Sequence, residues 1–125
     1  MTTAKIWILI NAIFYMGLGL YTIAWPQELA ATLSFTLNTP GAVAEIKACY
    51  GGLMFILGVM MIILYVKEPI TYSLGFIALL YFGFGVGRLI GIIGNQAFDR
   101  ITITFSAVEI VSFIISLTLY SLLKK

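Results

Sequence analysis

The amino-acid sequence predicts an all-α fold: a four-transmembrane-helix bundle, antiparallel and up-down, with a short interfacial segment between helices 1 and 2. The first observation is composition, because 62% of the 125 residues are hydrophobic, 10% are charged and the mean hydropathy is +1.09. A soluble domain of this size could not bury so much apolar surface, so most of the chain must be solvated by lipid. The second observation is four apolar runs, each long enough for the roughly 20 helical residues that cross a hydrocarbon core about 30 Å thick. We expect helices at 5–25, 41–66, 70–94 and 101–123, in a single integral membrane domain over residues 1–125.

Residues that stop or start helices separate these runs. Pro26 follows the first apolar run, and Pro69 precedes the third run. Thr39 and Pro40 are typical of an N-cap and the first turn of a helix, here at the start of the second run. Residues 95–100 separate the third run from the fourth. Because the last two links are short, helices 2, 3 and 4 should be antiparallel neighbours. The first run is longer than a secretory signal core of about 7 to 15 residues and lacks a small-residue cleavage pattern, so we expect a permanent helix.

The segment between helices 1 and 2 allows two interpretations. Leu29, Leu33 and Leu37 recur at helical spacing, whereas Leu33, Phe35 and Leu37 alternate as in a β-strand. We favour a helix lying in the membrane interface over residues 28–38.

Lysines are concentrated at the helix ends that share one side of the membrane. That side carries Lys5, Lys67, Lys124 and Lys125, whereas the other carries Arg100 and Lys47, offset by Glu28 and Asp99. Positive residues favour the cytoplasmic side. We therefore expect a multi-pass protein of the cytoplasmic (inner) membrane with both termini in the cytoplasm.

Several classes of function are disfavoured by residue usage. Cys49 is the only cysteine, which excludes an internal disulfide, and histidine is absent, so a zinc or haem site is not expected. Glu45, Asp99 and Glu109 are too scattered to indicate a hard-cation site. A net charge of +2 is too small to indicate nucleic-acid binding. We therefore predict no metal, no cofactor and no nucleic-acid partner.

Three charged residues fall well inside the predicted helices: Glu45, Arg88 and Glu109. Each costs about 2.5 to 3.5 kcal/mol on insertion scales and therefore needs an explanation. At about 1.5 Å rise per residue, they lie about 6, 9 and 12 Å from the same side of the membrane. We expect an intrabundle Glu-Arg-Glu cluster, because the planar guanidinium of an arginine can pair with two carboxylates.

Neighbouring polar residues extend this candidate site. Tyr81 and Asn95 share the Arg88 side of helix 3, while Thr102, Ser116 and Tyr120 fall nearly in line with Glu109 on helix 4. Two alternatives stay open: the charged cluster could serve only to fix helix register, and the hydroxyl stripe could be ordinary interhelical hydrogen bonding. A row of small residues on helix 3 predicts a packing face, formed by Gly83, Gly87, Gly91 and Gly94.

The residues of the candidate site resemble a known family. The stretch from Glu45 to Gly52, followed by Arg88, Asp99 and Glu109, resembles a bacterial four-span family catalogued as a domain of unknown function. That pattern has Glu-hydrophobic-Arg-Ala-x-Tyr-Gly-Gly on the second span, an Arg on the third, an Asp-Gly turn and a Glu on the fourth. This chain departs from it twice, with Lys47 in place of Arg and Arg100 in place of Gly. The resemblance implies fold and membrane location but no activity, and it groups Glu45, Tyr50, Arg88, Asp99 and Glu109 as one set.

The leading functional hypothesis is a binding module whose pocket, lined by Glu45, Arg88, Glu109 and nearby tyrosines, holds a small amphipathic or lipid-like molecule. If the acids already neutralise Arg88, a cationic or hydroxylated head group is favoured. The alternatives are a proton-coupled small-molecule transporter and an accessory subunit of a larger membrane complex. Catalysis is disfavoured because no nucleophile has an evident activating base, although Cys49 follows Glu45 by one helical turn. The expected partners are membrane lipids, the ligand, and either a second copy bound through helix 3 or another membrane protein.

Overall fold

The fold is all-α over the part of the chain that the structure describes. A computed structural model describes residues 1–96 and 98–124, so Lys125, which contributed to the predicted orientation, lies outside the described residues. The helices are α1 (Thr2–Ala24), α2 (Pro26–Thr32), α3 (Pro40–Ile46), α4 (Leu53–Lys67), α5 (Ile70–Asn95) and α6 (Arg100–Leu123), with a π-helical turn at Lys47–Gly52 between α3 and α4.

Four of these segments are long and apolar enough to cross a membrane. The first span is α1, the second is Pro40–Lys67 (α3, the π-helical turn and α4), the third is α5 and the fourth is α6. This confirms the predicted fold class. Among the four spans, the largest difference from the predicted bounds is at the first helix, which begins at Thr2 rather than at residue 5.

The connection between the first two spans is helical only in its first part, so the favoured helix over residues 28–38 is correct as far as Thr32, and the alternating pattern does not form a β-strand. Pro26–Thr32 is a short helix, whereas the chain beyond Ser34 is irregular up to Thr39. Ser34 has a φ of 60°, a left-handed conformation that ends the helical turn. Leu29 and Ala30 are buried against Ile46, so this connection packs onto the start of the second span.

Side-chain caps start the second and fourth spans. The Thr39 Oγ1 accepts a hydrogen bond from the Ala42 backbone N–H at 3.1 Å, and Pro40 occupies the first turn, where its missing N–H costs nothing. The Asp99 carboxylate caps the fourth span in the same way. Both caps lie at the end of the bundle where the third span finishes, which we call the Arg88 end.

The spans pack as two antiparallel pairs, the first with the second and the third with the fourth. Glycine permits close approach in the first pair. A Cβ atom on Gly19 would lie 2.6 Å from the Gly51 carbonyl oxygen, and one on Gly58 would lie 2.7 Å from the Ala12 carbonyl oxygen. By contrast, a Cβ on Gly83, Gly87, Gly91 or Gly94 would meet nothing within 4 Å, so the predicted packing role of that row stays a prediction.

The interior is tightest in the half of the bundle away from the Arg88 end. The third span buries five residues between Ser73 and Tyr81, then none from 82 to 91 before Ile92. The two pairs of spans meet mainly where α5 contacts α1 and α4. At the Arg88 end the third span therefore relies on the fourth span for its protein contacts.

The outer surface is apolar. Ile13, Leu79 and Ile90 are each about two-thirds exposed, and exposed apolar side chains occur on all four spans. Such a surface is stable only where lipid replaces water. The protein is therefore a multi-pass membrane protein.

We expect Gly58→Ala to destabilise the bundle, because the new Cβ would lie 2.6 Å from the Met16 Cγ and 2.7 Å from the Ala12 carbonyl oxygen. Overpacking of this kind lowers the free energy of unfolding by about 1–3 kcal/mol. The measurement is an unfolding titration in detergent micelles. Gly17→Ala is the matched control, since nothing lies within 4 Å of its Cβ position. Equal effects of the two substitutions would contradict the packing described here.

Candidate functional site

An ion pair joins the third and fourth spans. The Arg88 Nε donates hydrogen bonds to both carboxylate oxygens of Glu109, at 3.1 and 2.9 Å, and the Arg88 Nη2 donates to Oε1 at 2.7 Å. The Glu109 side chain is 8% exposed, whereas that of Arg88 is 29% exposed. The guanidinium also lies over the Phe105 ring, 5.4 Å from its centroid. The carboxylate is thus buried and paired, while one edge of the guanidinium is accessible.

Buried hydrogen bonds connect this region to the first span. The Tyr81 hydroxyl donates to the Asn11 Oδ1 at 2.6 Å, and the Asn11 Nδ2 donates to the Trp7 carbonyl oxygen at 2.8 Å. The Tyr15 ring packs edge-on against Tyr81 with centroids 6.3 Å apart. Tyr81, predicted as a site residue, therefore joins the third span to the first span through its hydroxyl.

The inward face of the fourth span is polar. Its buried residues are Glu109, Ser112 and Ser116. The Trp7 indole N–H donates to the Ser116 Oγ at 2.9 Å, and that hydroxyl donates to the Ser112 carbonyl oxygen at 2.8 Å. The sequence indicated this stripe through its helical spacing. It did not indicate Trp7 as the partner, because a tryptophan near a span end is typical of an interface anchor.

Glu45 lies apart from the ion pair. It is exposed and lines a groove of about 450 Å³ between the second span and the irregular segment before it. In the described residues, no lysine or arginine nitrogen lies within 4.0 Å of its carboxylate. The groove is lined by Ser34, Phe35, Thr36, Leu37, Ala42, Glu45, Ile46, Cys49 and Tyr50. The structure thus brings together two members of the predicted Glu-Arg-Glu cluster and separates the third.

The π-helical turn explains part of this separation. An α-helix turns by about 100° per residue, but the π-helical turn at Lys47–Gly52 winds more slowly, so the residues after it share a face with Glu45 differently from what α-helical spacing indicates. Ile46 and Gly51, five residues apart, are both buried, which matches the i to i+5 repeat of a π-helix. The remaining reason is that the third span contacts the second mainly through α4, at the other end of the bundle from Glu45.

An aromatic pair forms one wall of this groove. Phe35 and Tyr50 pack edge-on with centroids 6.1 Å apart. Tyr50 was a predicted site residue, and the structure places it in this groove. Phe35 was missed as a site residue. The sequence did give one signal, because Phe35 belongs only to the alternating pattern with Leu33 and Leu37 and not to the helical spacing of the leucines.

The last two predicted site residues lie on the surface. Asn95 is exposed, and its Nδ2 donates to the Gly91 carbonyl oxygen at 3.2 Å. Asp99 is exposed and caps the fourth span, accepting from the Thr102 N–H at 3.0 Å and from the Thr102 hydroxyl at 2.7 Å. These hydrogen bonds lower the pKa of the Asp99 carboxyl. Asp99 therefore has a structural role in this conformation.

No group of three Cys, Asp or Glu side chains within residues 1–96 and 98–124 is placed to share a metal ion.

Comparison with known proteins identifies a family. A family model described as a domain of unknown function, DUF4345, matches residues 3–120. No curated protein and no solved structure matches the chain.

Arg88→Gln should leave the Glu109 carboxylate buried without its cation. Breaking a buried pair by removing one partner costs about 3–5 kcal/mol of unfolding free energy. The double variant Arg88→Gln with Glu109→Gln should recover most of that loss, because no buried charge remains. Unfolding titrations of the two single variants and the double variant measure the coupling. Arg100→Gln, at the exposed start of the fourth span, is the control. Additive losses would show that the two side chains are not coupled.

The Asp99 cap should depend on pH. Because the folded-state pKa lies below the ordinary value of 3.8, the cap stabilises the first turn of the fourth span fully above that value. It is lost as pH falls through the lowered folded-state pKa. The Thr102 amide resonance, followed by NMR in micelles, should therefore titrate with a midpoint below 3.8. Asp99→Asn retains an acceptor oxygen and should remove this titration. A midpoint at or above the ordinary value would contradict the cap.

Proposed function

The chain belongs to the DUF4345 family, whose activity is unknown, and we propose that it is a membrane binding protein for a small amphipathic molecule with a cationic or hydroxylated head group. The observation that carries the proposal is the Glu45 carboxylate, which lies in a groove without a cation partner in the described residues. A carboxylate retained inside an apolar span is costly unless something pairs with it.

The groove suits a molecule with both polar and apolar parts. Its volume of about 450 Å³ falls within the range of about 300–1,000 Å³ that is typical of ligand sites. Ala42, Ile46 and Leu37 offer apolar contact beside Glu45, and the Phe35–Tyr50 pair offers ring surfaces that attract cations. An ammonium or hydroxyl group would meet the carboxylate while the hydrocarbon part lies along the apolar wall.

Arg88 is less suited to recognise an anionic head group. Its guanidinium already makes three hydrogen bonds to Glu109, and an anion would compete with that carboxylate. This supports the choice of a cationic or hydroxylated head group.

We also propose that the protein resides in a bacterial inner membrane with both termini in the cytoplasm. The lysine distribution supports this orientation. The Glu45 groove would then open toward the external side of the membrane.

The reactivity of the Cys49 thiol can be used to measure whether the groove is occupied. It is exposed, it is the only cysteine, and it lines the groove beside Glu45. In lipid nanodiscs, decyltrimethylammonium should slow the reaction of Cys49 with a maleimide, because the bound amphiphile covers the thiol. Decyl sulfate, which has the same chain and the opposite charge, should not. Glu45→Gln should raise the apparent Kd for decyltrimethylammonium about fivefold, since an exposed ion pair contributes about 1 kcal/mol.

Glu68→Gln is the matched control, because Glu68 is an exposed glutamate in the link between the second and third spans. It should leave the protection unchanged. Equal protection by both amphiphiles, or an apparent Kd for decyltrimethylammonium that is unchanged in Glu45→Gln, would overturn the proposal.

A further inference from the structure

Two local departures from regular helix border the Glu45 groove. The first is Ser34, whose φ of 60° is left-handed, and the second is the π-helical turn at Lys47–Gly52. Ser34 lines the groove from one side, and Cys49 and Tyr50, which belong to the π-helical turn, line it from the other. Left-handed residues other than glycine and π-helical turns are both frequent at functional sites. Each of these departures presents one aromatic ring to the groove.

Ser34 fixes the position of the first ring, that of Phe35. The Ser34 N–H donates to the Ala31 carbonyl oxygen at 3.1 Å, and the Phe35 N–H donates to the Ala30 carbonyl oxygen at 2.7 Å. These two hydrogen bonds and the left-handed Ser34 form a Schellman motif at the end of α2. Ala30 is buried in a cluster with Ile46 of the second span. The backbone of Phe35 is therefore anchored to that span, although the chain that follows is irregular.

The second ring is that of Tyr50, which packs partly buried against the same cluster. Its ring and the Phe35 ring have centroids 6.1 Å apart and planes inclined at 65°, so they form a corner. The faces of aromatic rings carry the negative part of the quadrupole and attract cations. Both rings line the same groove as the Glu45 carboxylate, which has no cation partner in the described residues.

On the basis of the proposed function, we infer that this groove selects a quaternary ammonium head group over a primary ammonium, and that Phe35 and Tyr50 make the selection. Aromatic rings combined with a negative charge are the chemistry that recognises quaternary ammonium ions. The methyl groups of such an ion contact the rings and the side chains of Ala42 and Ile46 and leave no N–H donor unpaired.

A primary ammonium suits the same surface less well. It is a compact, strongly hydrated ion with three N–H donors. It must give up more hydration to lie against the apolar part of the lining, and Glu45 is the charged acceptor that the lining offers in return. The attraction between opposite charges is available to both ions, so the rings decide between them.

The Phe35 ring can be removed without disturbing the bundle, because its side chain is 48% exposed. Phe35→Leu removes the aromatic face and retains an apolar side chain, whereas Phe35→Trp retains an aromatic face. Phe98→Leu is the matched control, since Phe98 is 69% exposed and does not line the groove.

The experiment measures protection of Cys49 from a maleimide in lipid nanodiscs by decyltrimethylammonium and by decylammonium, which have the same chain and the same charge near neutral pH. The two amphiphiles partition differently into lipid, but this partition is the same for every variant. The quantity compared is therefore the apparent Kd for decylammonium divided by that for decyltrimethylammonium. This ratio should be about threefold higher in wild type, Phe35→Trp and Phe98→Leu than in Phe35→Leu, a factor within the range of one exposed cation–π contact.

A ratio in Phe35→Leu equal to that of wild type would overturn the selection by the ring. An equal loss in Phe98→Leu would also overturn it, because the effect would then not belong to the groove. Protection that depends on Glu45 and shows an unchanged ratio would overturn this inference alone, whereas protection by neither amphiphile would overturn the proposed function as well.

Discussion

The ion pair between Arg88 and Glu109 constrains much of the molecule, because either charge alone at that depth in an apolar span would be costly. Its side-on hydrogen bonds fix the third and fourth spans in one antiparallel register. The same register places the Phe82 and Phe113 rings 5.8 Å apart, nearer the middle of the spans. At the Arg88 end the third span has few other protein contacts. There the ion pair, rather than a packed apolar core, specifies the register of the third span against the fourth.

The first and second spans pack against each other through glycines rather than through an ion pair. Glycine brings their backbones together at Gly19, Gly51 and Gly58, and the π-helical turn lets both Ile46 and Gly51 face the protein interior. The additional residue in that turn changes which side chains share a face. Glu45 and Cys49 consequently line the groove next to the irregular segment, while the first span packs against the π-helical turn and α4. A local change of helical repeat thus separates Glu45 from the ion pair.

Hydropathy, helix caps and link lengths were sufficient to predict the four spans, because lipid leaves few alternatives for the backbone of an apolar chain. Depth along each helix also placed Arg88 and Glu109 at matching levels. The position of Glu45 around its helix relative to the rest of the second span could not be predicted, since a π-helical turn has no clear sequence signal and changes which residues share a face. The bond from Trp7 to Ser116 depends on how the first span packs against the fourth, which no local pattern specifies.

Separation of the two glutamates gives them different chemistry. Glu109 is neutralised by Arg88 inside the bundle, so a ligand cation there would have to displace a guanidinium held by three hydrogen bonds. Glu45 has no such partner in the described chain, and a cation that approaches it breaks no protein ion pair. The Glu45 groove therefore favours a donor or cation.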